Sequence, residues 1–253
     1  MIDTHSHIYD PAFDEDREEA VQRAKDAGLT KLLLPNVDLN TIQPMLDTAA
    51  KHPGFTACAM GLHPTELNEN WRKDLTVIRR ELEKGQYAAI GEIGIDLYWD
   101  KTFAEEQKQA FRQQMLWALE LNLPVILHIR KAHAEVFEVL SSLRHDRFKG
   151  VFHCFGGGIE EARKAVSLGF SLGVGGVLTY KNSGLPAIVK EIGLDHILTE
   201  TDDPYLPPAP FRGKRNEPSF MKYVVEKLAD IFDENAGQID EITTFNAQKT
   251  FNI

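Results

Sequence analysis

Short apolar or β-branched runs recur along the chain, each followed by a longer stretch whose apolar positions repeat at helical spacing. The runs are "MIDTHSH", "TKLLLPNV", "FTACAMGLH", "YAAIGEIG", "LPVILHI", "KGVFHCF", "GFSLGVGG" and "HILTETD". Residues 14–28 place Ala20, Val21, Ala24 and Ala27 on one face and stop at Gly28, a residue suited to a helix end. Residues 103–121 align Phe111, Met115, Ala118 and Leu119, and Thr102 with Glu105 has the spacing of a capping box. After the last run comes a Pro/Gly-rich loop, "PYLPPAPFRGKRNEP", and then helical stretches predicted at 219–233 and 238–251. Eight such repeats in 253 residues predict parallel βαβ units closed into a (β/α)8 TIM barrel. The competing doubly wound sheet is disfavoured because no glycine-rich dinucleotide fingerprint follows the first run. No linker or low-complexity tract divides the chain, so residues 1–253 read as a single domain.

Composition narrows the setting. Two cysteines, Cys58 and Cys154, are too few and too far apart for a disulfide framework, so a reducing cytoplasmic location is expected. Neither a signal-peptide pattern nor a membrane-spanning run is visible. The formal net charge of −10 argues against a passive nucleic-acid-binding module. It leaves room for an enzyme acting on phosphate esters, because bound divalent cations reverse the local field of an acidic site. Nothing in the sequence points to an obligate protein partner.

The chemistry-capable residues share a position. His5 and His7 close the first run, His63 the third, Glu92 the fourth, His128 the fifth and His153 the sixth, while Asp202 follows the eighth. In a barrel those C-terminal ends converge on one mouth, where catalytic groups collect. A lone His-x-His, or the histidine of "LPVILHI", reads as readily as a polar strand end. Glu92 alone could cap a helix or pair with Arg130. The joint placement favours a metal site. Residues two apart on a strand point the same way, so His5 and His7 can reach one ion. Imidazoles with carboxylates suit zinc, manganese or iron(II), and magnesium less well. Four of these histidines with the two carboxylates already exceed one tetrahedral ion and suit a pair about 4 Å apart, with Glu92 as the natural bridge. Glu200, two residues before Asp202, points the same way and would fix a histidine tautomer from behind. His52, His133, His145 and His196 lack this placement and read as surface or capping groups. Cys154 reads as a small buried hydrophobe facing away from His153. Asn216 and Glu217, ahead of Pro218, read equally well as caps of the next helix and as groups at the site rim.

With those residues in place, the chain resembles the TatD family of metal-dependent deoxyribonucleases, within the amidohydrolase-like barrel superfamily. The motifs are "DTHSH" (3–7), "GLHP" (61–64), "GEIGID" (91–96), "LPVILHIR" (123–130), "FHCFGG" (152–157), "ETDDPYL" (200–206), "RGKRNEP" (212–218) and "FNAQKTF" near the end, in family order over essentially the whole chain. The resemblance implies His5, His7, Glu92, His128, His153 and Asp202 as ligands of two divalent ions (magnesium, manganese or zinc). It implies His63, with Arg130 assisting, beside the substrate phosphate, and Asp202, Glu92 and His63 as catalytic residues. The implied reaction is hydrolysis of DNA or nucleotide phosphodiesters, often as a 3′-to-5′ exonuclease. Asp203 and the stretch "GIDLYWD" depart from the usual pattern, and either would alter the substrate pocket. The rival reading is an amide, lactone or deaminase-type hydrolase of the wider superfamily, many of whose binuclear members bridge the ions with a modified lysine on strand four. Here that strand offers Glu92 and no lysine before Lys101.

Overall fold

The fold is described from a computed structural model, covering residues 1–143, 145 and 148–253. Strands and helices alternate along the chain. They are β1 (Ile2–Asp3), α1 (Arg17–Asp26), β2 (Lys31–Pro35), α2 (Ile42–Lys51), β3 (Thr56–Ala59), α3 (Trp71–Leu82), β4 (Ile90–Asp96) and α4 (Ala104–Leu121). There follow β5 (Val125–Arg130), α5 (His133–Ser142), β6 (Gly150–Phe152), α6 (Ile159–Ser167), β7 (Phe170–Val174), α7 (Leu185–Ile192), β8 (Ile197–Thr199), α8 (Met221–Phe232) and α9 (Ala236–Phe251).

All strand pairs are parallel, in two sheets ordered β1-β2-β3 and β4-β5-β6-β7-β8. Single parallel bridges join the sheets at both seams: Ser6 with Asp203, and Ala59 with Ala89. Backbone hydrogen bonds reinforce them, from the Thr4 amide to the Thr199 carbonyl and from the Met60 amide to the Ala89 carbonyl, both 3.1 Å. The result is the TIM-barrel-like α/β architecture expected from the eight repeats.

Two apolar layers hold it. Ile2, Leu33, Ala59, Ala89, Ile126, Val151 and Leu198 fill the interior, and Ala247 and Phe251 of α9 pack beneath them. The larger outer layer lies between strands and helices; Ala20, Val21 and Ala24 of α1 and Phe111, Met115 and Ala118 of α4 belong to it. Gly28 ends α1 with φ +90°, a backbone conformation in which its missing Cβ removes the steric penalty.

Some local expectations give way. The predicted capping box does not form: α4 starts one residue later, with Phe103 at its N-cap and no side-chain cap bond, and the Thr102 amide donates to Asp100 Oδ1 at 2.8 Å. Asp100 satisfies that orphan amide first. The ligand-bearing positions are also not all strand tips. Glu92 and His128 lie inside β4 and β5, whereas His5, His7, His63, His153 and Asp202 lie beyond their strands, Asp202 with φ +58°. Regular pairing stops at a different depth from strand to strand. Glycine makes the deep run of β4 possible, since a Cβ on Gly94 (φ +149°) would sit 1.9 Å from the His128 carbonyl oxygen.

Candidate metal centre

The Glu92 carboxylate occupies the middle of the mouth and is almost wholly buried. Its Oε2 lies 3.2 Å from His5 Nε2 and 3.9 Å from His7 Nε2. Its Oε1 lies 3.0 Å from His128 Nδ1, 3.6 Å from His63 Nε2 and 3.7 Å from His153 Nε2. Asp202 Oδ1 covers one side, 3.7–3.9 Å from the Nε2 atoms of His5, His7 and His153. The His5 and His153 rings stack at 3.4 Å. Thus His5, His7, His63, Glu92, His128, His153 and Asp202 meet at one point, His5 and His7 from beyond β1 and the others from β3, β4, β5, β6 and β8 or the loops after them.

Groups behind the imidazoles orient them. The Tyr9 hydroxyl donates to the Pro35 carbonyl, so at 3.0 Å from His7 Nδ1 it accepts, leaving His7 Nε2 as a lone pair toward the centre. Glu200, fully buried, sets Oε1 3.1 Å from His153 Nδ1, the position behind a histidine expected for it. Gly173 makes room for that carboxylate, since a Cβ there would lie 2.3 Å from Glu200 Oε2. On the far side Asp96 Oδ2 lies 2.8 Å from His128 Nε2. Neither Tyr9 nor Asp96 emerged from sequence reasoning. Asp96 was visible as the last residue of "GEIGID", an even number of positions from Glu92, but fell past the end expected for that strand.

Neighbouring carboxylates outweigh burial to raise His128 and bring His153 up to about 10, while burial decides the protonation of His5 and His7. It holds His7 down to about 4 and His5 well below its ordinary value, so both are neutral imidazoles with donor lone pairs. Burial alone would raise Glu92, but His5, His63 and His153 outweigh it and keep the carboxylate ionised. Burial pushes Asp202 up to about 7, and Glu92 and Glu200 add to the rise. Inward-facing imidazole nitrogens 3.0 Å apart, His5 Nε2 and His7 Nε2, set against buried carboxylates, form a donor set that fits divalent cations. Ligand-capable atoms converge in the sets His5–His7–Glu92, His5–His153–Asp202 and His63–Glu92–His128, with Glu92 shared by two of them.

Other expectations are corrected. Cys154 does not face away: β6 ends at Phe152, Cys154 turns with φ +44°, and its amide donates to Glu200 Oε1 at 2.6 Å. Its thiol lies beside His153 and Glu200, and burial with the nearby Asp202 carboxylate keeps it protonated. Arg130 does not pair with Glu92; it is exposed, with its guanidinium 4.1 Å from the Tyr98 ring centre. Asp203 is fully buried at the β1–β8 seam, where it accepts from the Thr201 hydroxyl at 2.7 Å. Asn216 and Glu217 do not cap the next helix with their side chains. Asn216 instead donates to the Thr201 and Tyr205 carbonyls (2.8 and 2.7 Å), bracing the loop that carries Asp202, and Glu217 pairs with Arg23 of α1 at 2.7 Å. His52 is the C-cap residue of α2, in keeping with the capping reading, and is buried there 3.3 Å from Glu18. His133 and His196 are half-buried and lie apart from the cluster.

The family of TatD-related DNases matches residues 2–252. An uncharacterized metal-dependent hydrolase, YabD of Bacillus subtilis, is 39% identical, with 100% of this chain and 99% of that protein covered. A protein named 3′-5′ ssDNA/RNA exonuclease TatD, from Erwinia tasmaniensis, is 31% identical over the full length of both. The crystal structure of YjjV, a TatD homologue from Escherichia coli, superposes with a TM-score of 0.93 at 33% identity, covering 100% of this chain and 98% of the other. The chain therefore belongs to the TatD-related DNase family and is a metal-dependent hydrolase.

Proposed function

We propose that residues 1–253 form one hydrolase domain that cleaves DNA phosphodiesters, as a 3′-to-5′ exonuclease, at a centre of two divalent ions. The observation that carries this reading is the division of the Glu92 carboxylate, one oxygen toward His5 and His7 and the other toward His128 and His153. That placement suits a bridge. His5, His7, Glu92, His128, His153 and Asp202 would hold the ions, whose chemistry is to polarise the phosphoryl oxygens and lower the pKa of a bound water. Asp202 Oδ1, facing three imidazoles, is placed to orient that water and take its proton. His63, its Nδ1 engaged by the Thr65 hydroxyl at 2.7 Å, turns Nε2 inward, where it would meet a phosphoryl oxygen. The relative from Erwinia tasmaniensis, named for ssDNA and RNA, supports single-stranded nucleic acid as substrate.

The test is a metal-titrated screen of single-stranded DNA, simple phosphodiesters, amides and lactones. Hydrolysis of DNA, lost with chelator and restored by Mg²⁺ or Mn²⁺, is expected. Turnover of amides or lactones alone would contradict the nuclease reading and favour the rival hydrolase class.

A further inference from the structure

The loop after β4 exposes aromatic surface beside the metal centre. Trp99 is 68% and Tyr98 51% exposed, whereas Trp71 and Trp117 are buried. These rings are held in place. Both the Tyr98 and Trp99 amides donate to Asp96 Oδ1, at 2.8 and 3.1 Å, and the other oxygen of the same carboxylate meets His128. One side chain thus ties the loop to a residue of the metal cluster. Arg130, two residues after His128 on β5, lies with its guanidinium 4.1 Å from the Tyr98 ring centre and 5.0 Å from that of Trp99. Among the described residues Arg130 makes no ion pair with a carboxylate.

Tyr98 and Trp99 are adjacent, with ring centres 4.9 Å apart, and so offer a ligand one aromatic surface. The acidic chain, with its net charge of −10, has little long-range attraction for a polyanion, so affinity for a strand must come from local contacts. Aromatic faces on which bases stack, with a cation for the backbone, are the contacts that single-stranded nucleic acid uses without regard to sequence. From this, and resting on the nuclease reading above, we propose that Tyr98, Trp99 and Arg130 form a nucleobase-stacking platform. It takes an unpaired base next to the phosphodiester at the metal centre. Trp99 offers its open face to the base. Tyr98 is covered by Arg130, which presents its free charge to the adjoining phosphate. Duplex DNA, whose bases are already paired and stacked, offers the platform nothing.

The test compares an oligothymidylate with the same oligonucleotide carrying abasic residues at its 3′ end, in Mn²⁺, with the full-length protein. The wild type is expected to show a KM about tenfold lower for the strand with bases. In Trp99→Ala that ratio falls toward one, and Trp99→Phe retains it. Oligothymidylate, but not the abasic strand, should also quench tryptophan fluorescence in the wild type, and the quench should vanish in Trp99→Phe because the remaining tryptophans are buried. If the wild type cleaves both strands and the ratio is the same in Trp99→Ala, the platform is wrong and the nuclease reading stands. If the wild type cleaves neither strand, the nuclease reading fails and the platform with it.

Discussion

Asp96 Oδ2 stands 2.8 Å from His128 Nε2, while His128 Nδ1 stands 3.0 Å from Glu92 Oε1. The imidazole is therefore fixed from both ends, between two carboxylates that hold it above its ordinary pKa against the effect of burial, and Asp96, on the outer nitrogen, sets the direction in which the inner nitrogen faces. Burial would raise Asp96, but His128 and the Tyr98 and Trp99 amides outweigh it and hold the carboxylate at about 2, ionised and accepting.

Removing that charge should loosen the ion nearest His128. Asp96→Asn is expected to weaken divalent-cation binding on the order of 10- to 100-fold, the usual cost of losing a partner behind a ligand. Calorimetric titration of metal into the apo-protein reads this without reference to turnover, and circular dichroism checks that the fold survives.

Glu92→Gln tests the bridge itself. The amide keeps the shape but neutralises the one carboxylate that faces both groups of histidines. A loss of DNA hydrolysis of at least ~1000-fold is expected, by analogy with removal of a group on which transition-state stabilisation depends. Native mass spectrometry should show fewer than two ions bound per chain. Full activity in this variant would show that Glu92 is not the bridge.

The barrel was legible because its signal repeats: one apolar run is ambiguous, but eight in alternation with helical stretches leave few topologies. The convergence of His5, His7, Glu92, His128, His153 and Asp202 was legible because each lies toward the C-terminal end of its strand or just beyond it. What escaped depended on local competition. Asp96 was hidden because Gly94 lets β4 approach β5 and run further than the apolar pattern suggests. Cys154 was misplaced because alternation was extended past Phe152, where the backbone turns to positive φ. Asn216 and Glu217 stand before a proline, which looks like a helix start, yet their partners Thr201, Tyr205 and Arg23 are distant in sequence and visible only once folded.

The Arg23–Glu217 pair has a pH signature. Burial would raise Glu217, but Arg23 holds it below the ordinary carboxylate range, so the folded state favours the ionised form. Its stabilisation is present above the unfolded pKa of ~4.3 and is lost as pH falls through the lower folded value. Glu217→Gln is expected to cost about 1 kcal/mol at neutral pH, discounted for the partly exposed arginine. In thermal melts the difference from wild type should shrink below pH ~4. A difference that grows on acidification would contradict the assignment.

The most direct test of the central claim is anomalous diffraction from crystals grown with Mn²⁺. The expected result is two peaks about 4 Å apart on either side of the Glu92 carboxylate, with His5 and His7 on one and His128 on the other. A single peak, or a pair that leaves Glu92 uncoordinated, would contradict it.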